Sequence, residues 1–270
     1  MLPNAADWTQ FYEQVKRKTG LDLTLYKPQQ LQRRILAMAE VRDTSNLADF
    51  WQSLSKDPQG VAWFLDKLAI NTSELYRNPE KWVEMREKIL PELLKGKRSI
   101  KAWSAGCSIG AEAYTLASIL ESKFPGNHSI LCSDIDQAAM DQAKSGIYSA
   151  GEMKCVPPDI VANYFEKSGE KYQVKQNLKK YVKFQTQNLL KDKFDSGFDL
   201  IMCRNVVIYF TDEAKAELYQ RFCDALAPNG ILFVGCTERI FNAQNLGYNS
   251  ILPFYYQKSI SGETKWRNAS

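Results

Sequence analysis

The sequence predicts an α/β protein: an N-terminal all-helical domain, then a doubly wound, mainly parallel sheet carrying a small β-hairpin insertion. Three observations support this expectation. Through roughly the first seventy residues, apolar side chains recur at helical spacing. From Ser99 onward, short β-rich runs alternate with amphipathic stretches of helical length, the rhythm of parallel strands joined by crossover helices. Between Gly151 and Lys180 that rhythm breaks, and Pro157 with Pro158 prevents any long element there.

The elements follow in chain order. In ADWTQFYEQVKRKTG, Trp8, Phe11, Tyr12 and Val15 recur at helical spacing and Gly20 supplies a stop. PQQLQRRILAMAEV puts Leu31, Ile35 and Met38 on one face and Gln32, Arg33 and Arg34 largely off it. SNLADFWQSL and PQGVAWFLDKLAI open on Ser45 and Pro58, both suited to a helix start. A helical bundle is the simplest account of these segments. SIKAWS, SILCSD, YVKFQT, FDLIMC and GILFVGC read as strands, with AEAYTLASILESKF and DEAKAELYQRFCDAL as helices between them. Pro228, Asn229 and Gly230 are expected to turn the second helix into the last of these strands, and ILPFYYQKS to add a late edge strand. The insertion, at about residues 151–180, is expected to hold a short helix and a hairpin, and residues 261–270 a loose polar tail. The expected divisions are therefore 1–72, 73–260 and 261–270.

Composition narrows the chemistry. Of 270 residues, 44% are hydrophobic and 24% charged, the balance of a globular protein. MLPNAADWTQ lacks the basic flank and apolar run of a signal peptide, and no stretch of about 18 apolar residues occurs. A cytoplasmic protein with no direct membrane insertion is expected. Cys107, Cys132, Cys155, Cys203, Cys223 and Cys236 form no C-x-x-C pair and read as reduced core residues, not as a zinc site or a disulfide frame. The single histidine, His128, lies in the turn-like FPGNHS, which argues against a Ser-His-Asp triad and a multi-histidine site; no metal is expected. A net charge of +4 is too weak to argue for nucleic acid.

In an open α/β sheet, ligands bind beyond the carboxyl ends of the strands, where strand order reverses. The first strand ends in Ala105, Gly106, Cys107, Ser108, Ile109 and Gly110 before a helix starts near Ala111, so glycines stand where the backbone must turn sharply and approach a ligand. Their spacing is G-x-x-x-G, not the G-x-G-x-x-G that suits a pyrophosphate. A sulfonium nucleoside without phosphates fits this loop better than NAD. The second strand ends in SDID, roughly twenty to thirty residues later, where nucleotide folds place a carboxylate for ribose hydroxyls. Asp134 is assigned that role, with Asp136 in reserve. FDLIMC then runs into RNVVIYF, Arg204 to Phe210, which brings polar and aromatic groups to the same sheet edge.

Taken together, NTSELYRN from Asn71 to Asn78, WSAGCSIGAEAY from Trp103 to Tyr114, SDID, QNLL from Gln187 to Leu190 and CRNVVIYF from Cys203 to Phe210 carry a resemblance. The chain resembles the chemotaxis receptor protein-glutamate methyltransferases, which esterify glutamates on methyl-accepting chemoreceptors. The resemblance runs from about Leu21 to Lys258, and the set of motifs is specific where each alone is not. It implies a Rossmann-like class I S-adenosyl-L-methionine-dependent methyltransferase domain, with S-adenosyl-L-homocysteine as product.

The resemblance also implies roles. Asn71, Ser73 and Arg77 match positions that touch the cofactor or approach the transferable methyl. Glu112 and Asp134 match acidic contacts to the methionine amino group and the ribose, and Asn188 with Leu189 match the adenine side. Gly106 belongs to the cofactor loop, Arg204 and Asn205 match the segment beneath the cofactor, and Tyr209 matches a tyrosine facing the methyl; Arg77 and Tyr209 are the catalytic candidates. The implied partners are chemotaxis receptors with acidic cytoplasmic helices, to which Lys27, Arg33, Arg34 and Arg42 offer complementary charge. The hairpin near Gly169 to Val174 matches a region that grips a receptor tail in some relatives.

Two departures stand out: where the family usually has two acids and a proline this chain has Ala111, Glu112 and Ala113, keeping only the second acid, and Ile109 replaces a usual threonine. Two rival functions remain open at this stage. One is a methyltransferase acting on nucleic acid or a small molecule, against which stands RNVVIYF in place of an N-P-P-Y motif. The other is a non-catalytic module that binds S-adenosylmethionine or a receptor.

Overall fold

A computed structural model describes residues 3–68 and 73–259. The chain divides into two compact units: Met1–Asn71 with Val207–Lys215, and Thr72–Val206 with Ala216–Ser270. Asn71 and the tail at 261–270 lie outside the described residues.

The first unit contains helices α1 (Ala5–Thr19), α2 (Pro28–Val41), α3 (Leu47–Ser55) and α4 (Pro58–Leu68). Asn4 starts α1 through a reciprocal cap: its side chain accepts from the Ala6 and Asp7 N–H groups while Asp7 accepts from the Asn4 N–H. Gly20, at φ 75°, ends it in the left-handed conformation that glycine adopts without strain. Trp8, Phe11 and Val15 are buried as the spacing predicts, as are Leu31, Ile35 and Met38. Phe11 is the hub of the core, with ring centroids 6.2 Å from Phe50, 5.8 Å from Trp51 and 6.1 Å from Phe64. The α3 cap is Asn46, one residue after the expected Ser45; its side-chain oxygen accepts the Asp49 N–H at 2.8 Å. Val207–Lys215 joins this unit through backbone pairing: the Lys27 N–H donates to the Tyr209 carbonyl and the Thr211 N–H to the Leu25 carbonyl, both at 2.9 Å. Tyr26 meets Phe210 edge-on at 5.1 Å.

The second unit opens with α5 (Pro79–Glu84), a wide π turn (Met85–Ile89) and α6 (Leu90–Leu93). Pro91 accounts for the widening, because it offers no N–H and its ring crowds the preceding helical turn. Then come β1 (Lys101–Ala105), α7 (Ala111–Lys123), β2 (Ser129–Asp134), α8 (Gln137–Ser145), β3 (Ile147–Ser149), α9 (Pro158–Tyr164), β4 (Phe165–Ser168), β5 (Lys171–Val174), α10 (Gln176–Lys179), β6 (Val182–Thr186) and β7 (Phe198–Cys203). The chain continues into α11 (Asp212–Ala225), β8 (Leu226–Val234), β9 (Tyr248–Leu252) and β10 (Tyr255–Lys258). The main sheet has the order β6-β2-β1-β7-β8-β10-β9; the first five strands are parallel, and β10 pairs antiparallel with both β8 and β9. The predicted class holds: helices first, then a doubly wound Rossmann-like sheet.

Four details depart from the sequence expectation. ILPFYYQKS contributes to two strands, not one: the chain reverses through Pro253 and Phe254, so that β10 slots between β8 and β9 and only β9 lies at the edge. Pro228, Asn229 and Gly230 lie within β8, where the pairing with β7 shifts register, instead of ahead of the strand. The insertion is a three-stranded sheet in the order β3-β5-β4, whose first strand precedes the expected boundary. Finally, α7 is buried nearly all round, because Thr115 and Ser118 on its outer side bond the Tyr76 N–H (3.0 Å) and hydroxyl (2.7 Å).

Candidate functional site

Because β6, β2, β1, β7 and β8 run parallel, their carboxyl ends share one edge. Along it stand, in sheet order, Asn188, Asp134, Gly106, Arg204 and Gly235. The order reverses between β1 and β7, where a doubly wound sheet opens its crevice.

The loop after β1 makes two tight turns. Gly106, Ser108 and Gly110 all have positive φ, at 72°, 48° and 77°. A Cβ on Gly106 would lie 2.5 Å from the Val206 Cγ2, and one on Gly110 2.9 Å from the Ala143 Cβ, so neither site accepts a side chain without movement. Asp134 holds the loop from β2: one carboxylate oxygen accepts the Ser108 N–H at 2.7 Å and the other the Asp136 N–H at 3.0 Å. Enclosure raises its carboxyl above the ordinary range, and these backbone donors pull it back. Asp136, the reserve, caps α8, its Oδ1 accepting from Ala138 (2.9 Å) and Ala139 (3.2 Å). The Tyr148 hydroxyl of β3, fully buried, donates to the Ile109 carbonyl at 2.7 Å. The insertion thus grips the loop.

Glu112, in the first turn of α7, pairs with Arg204 at 2.7 Å. The Arg204 side chain is 0% exposed. Its other donor group reaches the Asn78 Oδ1 at 3.0 Å and the Arg77 carbonyl at 3.4 Å, and the guanidinium lies over the Phe233 and Trp82 rings. Burial raises the Glu112 carboxyl; Arg204 opposes that most strongly, and the charge of Arg77 adds to the opposition. Arg77 sits between Tyr76 and Asn78, both non-glycine residues at positive φ, 57° and 59°. Paired outliers of this kind persist only where surrounding bonds enforce them. Here the Trp82 indole donates to the Arg77 carbonyl at 3.0 Å, and the buried Tyr76 hydroxyl, its pKa pushed up to about 12 by desolvation, bonds Ser118.

Asn188 and Leu189 follow β6. The Asn188 side-chain oxygen accepts the Leu190 N–H at 3.0 Å, and the preceding Gln187 donates its N–H to the Asp134 carbonyl at 2.9 Å. Arg221 of α11 fixes this loop from behind through the Leu189 carbonyl at 2.6 Å. Asn205, at φ 61°, donates its N–H to the Glu238 Oε2 at 2.6 Å, and Gly235 donates to the same oxygen at 2.8 Å. Buried Glu238 therefore staples the ends of β7 and β8. Ser73 is half-buried. Tyr209 sits in the 3-10 turn Val207–Tyr209 of the first unit, its carbonyl held by Lys27.

Sequence reasoning missed Asn78, Tyr148, Arg221 and Glu238. For Asn78 the signal was present inside NTSELYRN; for the others no local pattern marks them. Among the described residues no cluster of His, Cys, Asp or Glu could hold a metal ion. All six cysteines are free, and Cys236 is exposed instead of in the core.

The site's two acids, its glycine cradle and its phosphate-free spacing suit a sulfonium nucleoside, and comparison with known proteins accords with this. The family described as "CheR methyltransferase, SAM binding domain" matches residues 71–252, and "CheR methyltransferase, all-alpha domain" matches residues 6–69. The chain belongs to the CheR methyltransferase family. It is 36% identical over 262 residues to a chemotaxis protein methyltransferase of Listeria innocua serovar 6a, covering 96% of this chain and 100% of the relative. It is 32% identical over 255 residues to one of Borreliella burgdorferi, covering 89% of each. A third relative, from Salmonella typhimurium, is 28% identical over 240 residues, covering 84% of this chain and 82% of its own. As a CheR family member the chain carries an S-adenosylmethionine-binding domain, and the loop from Gly106 to Glu112 lies inside the matched region.

Proposed function

We propose that this chain is a protein-glutamate O-methyltransferase that converts glutamates of methyl-accepting chemotaxis receptors to methyl esters during chemotactic adaptation. The observation that carries it is the meeting of Arg77, Glu112 and Arg204 beside the cofactor loop. One part of that meeting is suited to the methionine end of the cofactor and another to a substrate carboxylate.

S-adenosyl-L-methionine supplies a methyl group on a positively charged sulfur, with its leaving group built in. The protein's task is therefore position and electrostatics. Glu112 keeps one oxygen on Arg204 and offers the other to an ammonium group. Asp134, with each oxygen already taking one backbone donor, retains lone pairs for ribose hydroxyls. Asn188 and Leu189 bound the adenine side; Asn71, Ser73, Gly106, Arg204 and Asn205 complete the proposed contacts. A receptor glutamate, with a reference pKa of about 4.3, is already ionised at pH 7, so no general base is required. That matches a chain whose only histidine, His128, is occupied by the Ile100 N–H and the Phe124 carbonyl.

Arg77 and the Tyr209 hydroxyl orient the carboxylate by charge-assisted hydrogen bonds. Too tight a grip by Arg77 would stabilise the ground state and blunt the nucleophile, so its role is orientation. Residues 1–72, 73–260 and 261–270 are the proposed divisions of the chain, and the cytoplasm its proposed location; no helix among the described residues is long and apolar enough to cross a membrane.

The test is incubation with labelled S-adenosylmethionine and a chemoreceptor cytoplasmic domain, followed by assay for base-labile methyl esters. Cofactor binding without ester formation would favour the non-catalytic alternative. Arg77→Ala and Tyr209→Phe should each lower turnover far more than cofactor affinity, by about a hundredfold for Arg77→Ala. Wild-type rates in both would remove the assignment.

A further inference from the structure

Asn78 stands at the N-cap of α5, a place where asparagine ordinarily folds its side chain over the first helical N–H groups. It makes no such cap bond. Its backbone is left-handed, φ 59° and ψ 69°, instead of the extended conformation of an ordinary cap, and its Oδ1 accepts from the Arg204 Nη2 at 3.0 Å. The same nitrogen reaches the carbonyl of Arg77, one residue earlier, at 3.4 Å. Arg204 itself has little freedom: it is fully enclosed, paired to Glu112 and flanked by Phe233 and Trp82, while its Nε has no hydrogen-bond partner among the described residues. Leaving that buried donor unsatisfied carries an energetic cost, which the fork tolerates while gripping Glu112 and the Arg77–Asn78 backbone together.

We propose that Asn78 is a positioning residue that, through Arg204, fixes the backbone of Arg77 relative to Glu112, so that one buried guanidinium sets the substrate side against the cofactor side. Two separate properties of Asn78 serve the arrangement. Its tolerance of the left-handed conformation lets the chain turn between Arg77 and Pro79, and its side-chain oxygen locks that turn to Arg204.

The inference rests on the proposed role of Arg77, and the variants separate the two. Asn78→Gly keeps the left-handed turn and deletes the oxygen; Asn78→Asp keeps the oxygen. With full-length protein, a chemoreceptor cytoplasmic domain and labelled S-adenosylmethionine, Asn78→Gly should lower kcat about tenfold or more, the loss expected for a bond from a charged donor. Cofactor Kd, measured by calorimetry, should stay within about twofold, and Asn78→Asp should restore most of the rate. Because Asn78 is proposed to act through Arg77, Asn78→Gly should have almost no further effect on kcat in an Arg77→Ala background. Wild-type kcat in Asn78→Gly, failure of Asn78→Asp to rescue, or a further tenfold loss in the double variant would each overturn the positioning role. Should Arg77→Ala alone methylate at the wild-type rate, the assignment of Arg77 would fall instead.

Discussion

Glu112 is the residue at which charge decides most. Its carboxyl is raised by enclosure and drawn back by Arg204 and Arg77. In the proposed contact the ionised form holds the cofactor's ammonium group, so proton uptake by Glu112 would compete with cofactor binding. The sign follows: affinity is full above the raised pKa and declines as pH falls through it, starting at higher pH than an ordinary glutamate would give. Calorimetric titration of S-adenosylmethionine across mildly acidic pH should show that decline in the wild type, and Glu112→Gln should bind weakly with that limb abolished. An unchanged pH profile in Glu112→Gln would place the linked proton elsewhere. The sequence made Glu112 legible, since it is the acid retained between Ala111 and Ala113. It did not reveal that Arg204 already occupies one of its oxygens, because the partners lie 92 positions apart and nothing local links them.

At the scale of elements, the loop between β1 and α7 is shaped from several sides: Asp134 from β2, Tyr148 from β3 and Val206 beyond β7. Gly106→Ala should therefore weaken cofactor binding about tenfold, since a left-handed non-glycine costs about 1–2 kcal/mol before any overlap is counted. Adding Val206→Ala should recover only the steric share, leaving the backbone share in place. Binding within about twofold of wild type in Gly106→Ala would show that the loop absorbs the change elsewhere. Helix starts and strand cores were readable because capping and alternation are local signals. The paired β9 and β10 were not, because Pro253 and Phe254 sit within a continuous apolar run and Phe254 makes its turn at φ 74°, which composition does not announce. Residues 79–93 were likewise obscured, their helical pattern divided by Pro79, Pro91 and the π turn.

Across the whole molecule, the fold class and the cofactor were legible in the order of motifs, whereas the surface proposed to meet a receptor was legible only as a count of basic residues. The structure distinguishes among them. Arg42 stacks on Trp63 at 4.5 Å, and Arg34 is half-buried and donates to the Lys67 carbonyl. Lys27 has its pKa lowered by desolvation and by Lys215. Arg33 is exposed and suits a test of long-range attraction. Arg33→Glu should raise KM for the receptor domain and flatten its dependence on salt, with kcat for saturating receptor unchanged. Identical salt curves for variant and wild type would exclude Arg33 from docking.

The hydroxyl of Tyr148 gives the small sheet a practical boundary. That boundary decides where the small sheet could be cut out and exchanged for another. A cut at Gly151 would strand β3 in the recipient while its partner β5 came from the donor, mismatching the Tyr148 and Tyr172 register pair. Cutting within the turn at Gly146 and again near Lys180 moves the three strands as one piece, provided the incoming segment carries a tyrosine able to reach the Ile109 carbonyl. A transplanted module without it would arrive folded yet leave the methyl-donor loop of its new host slack.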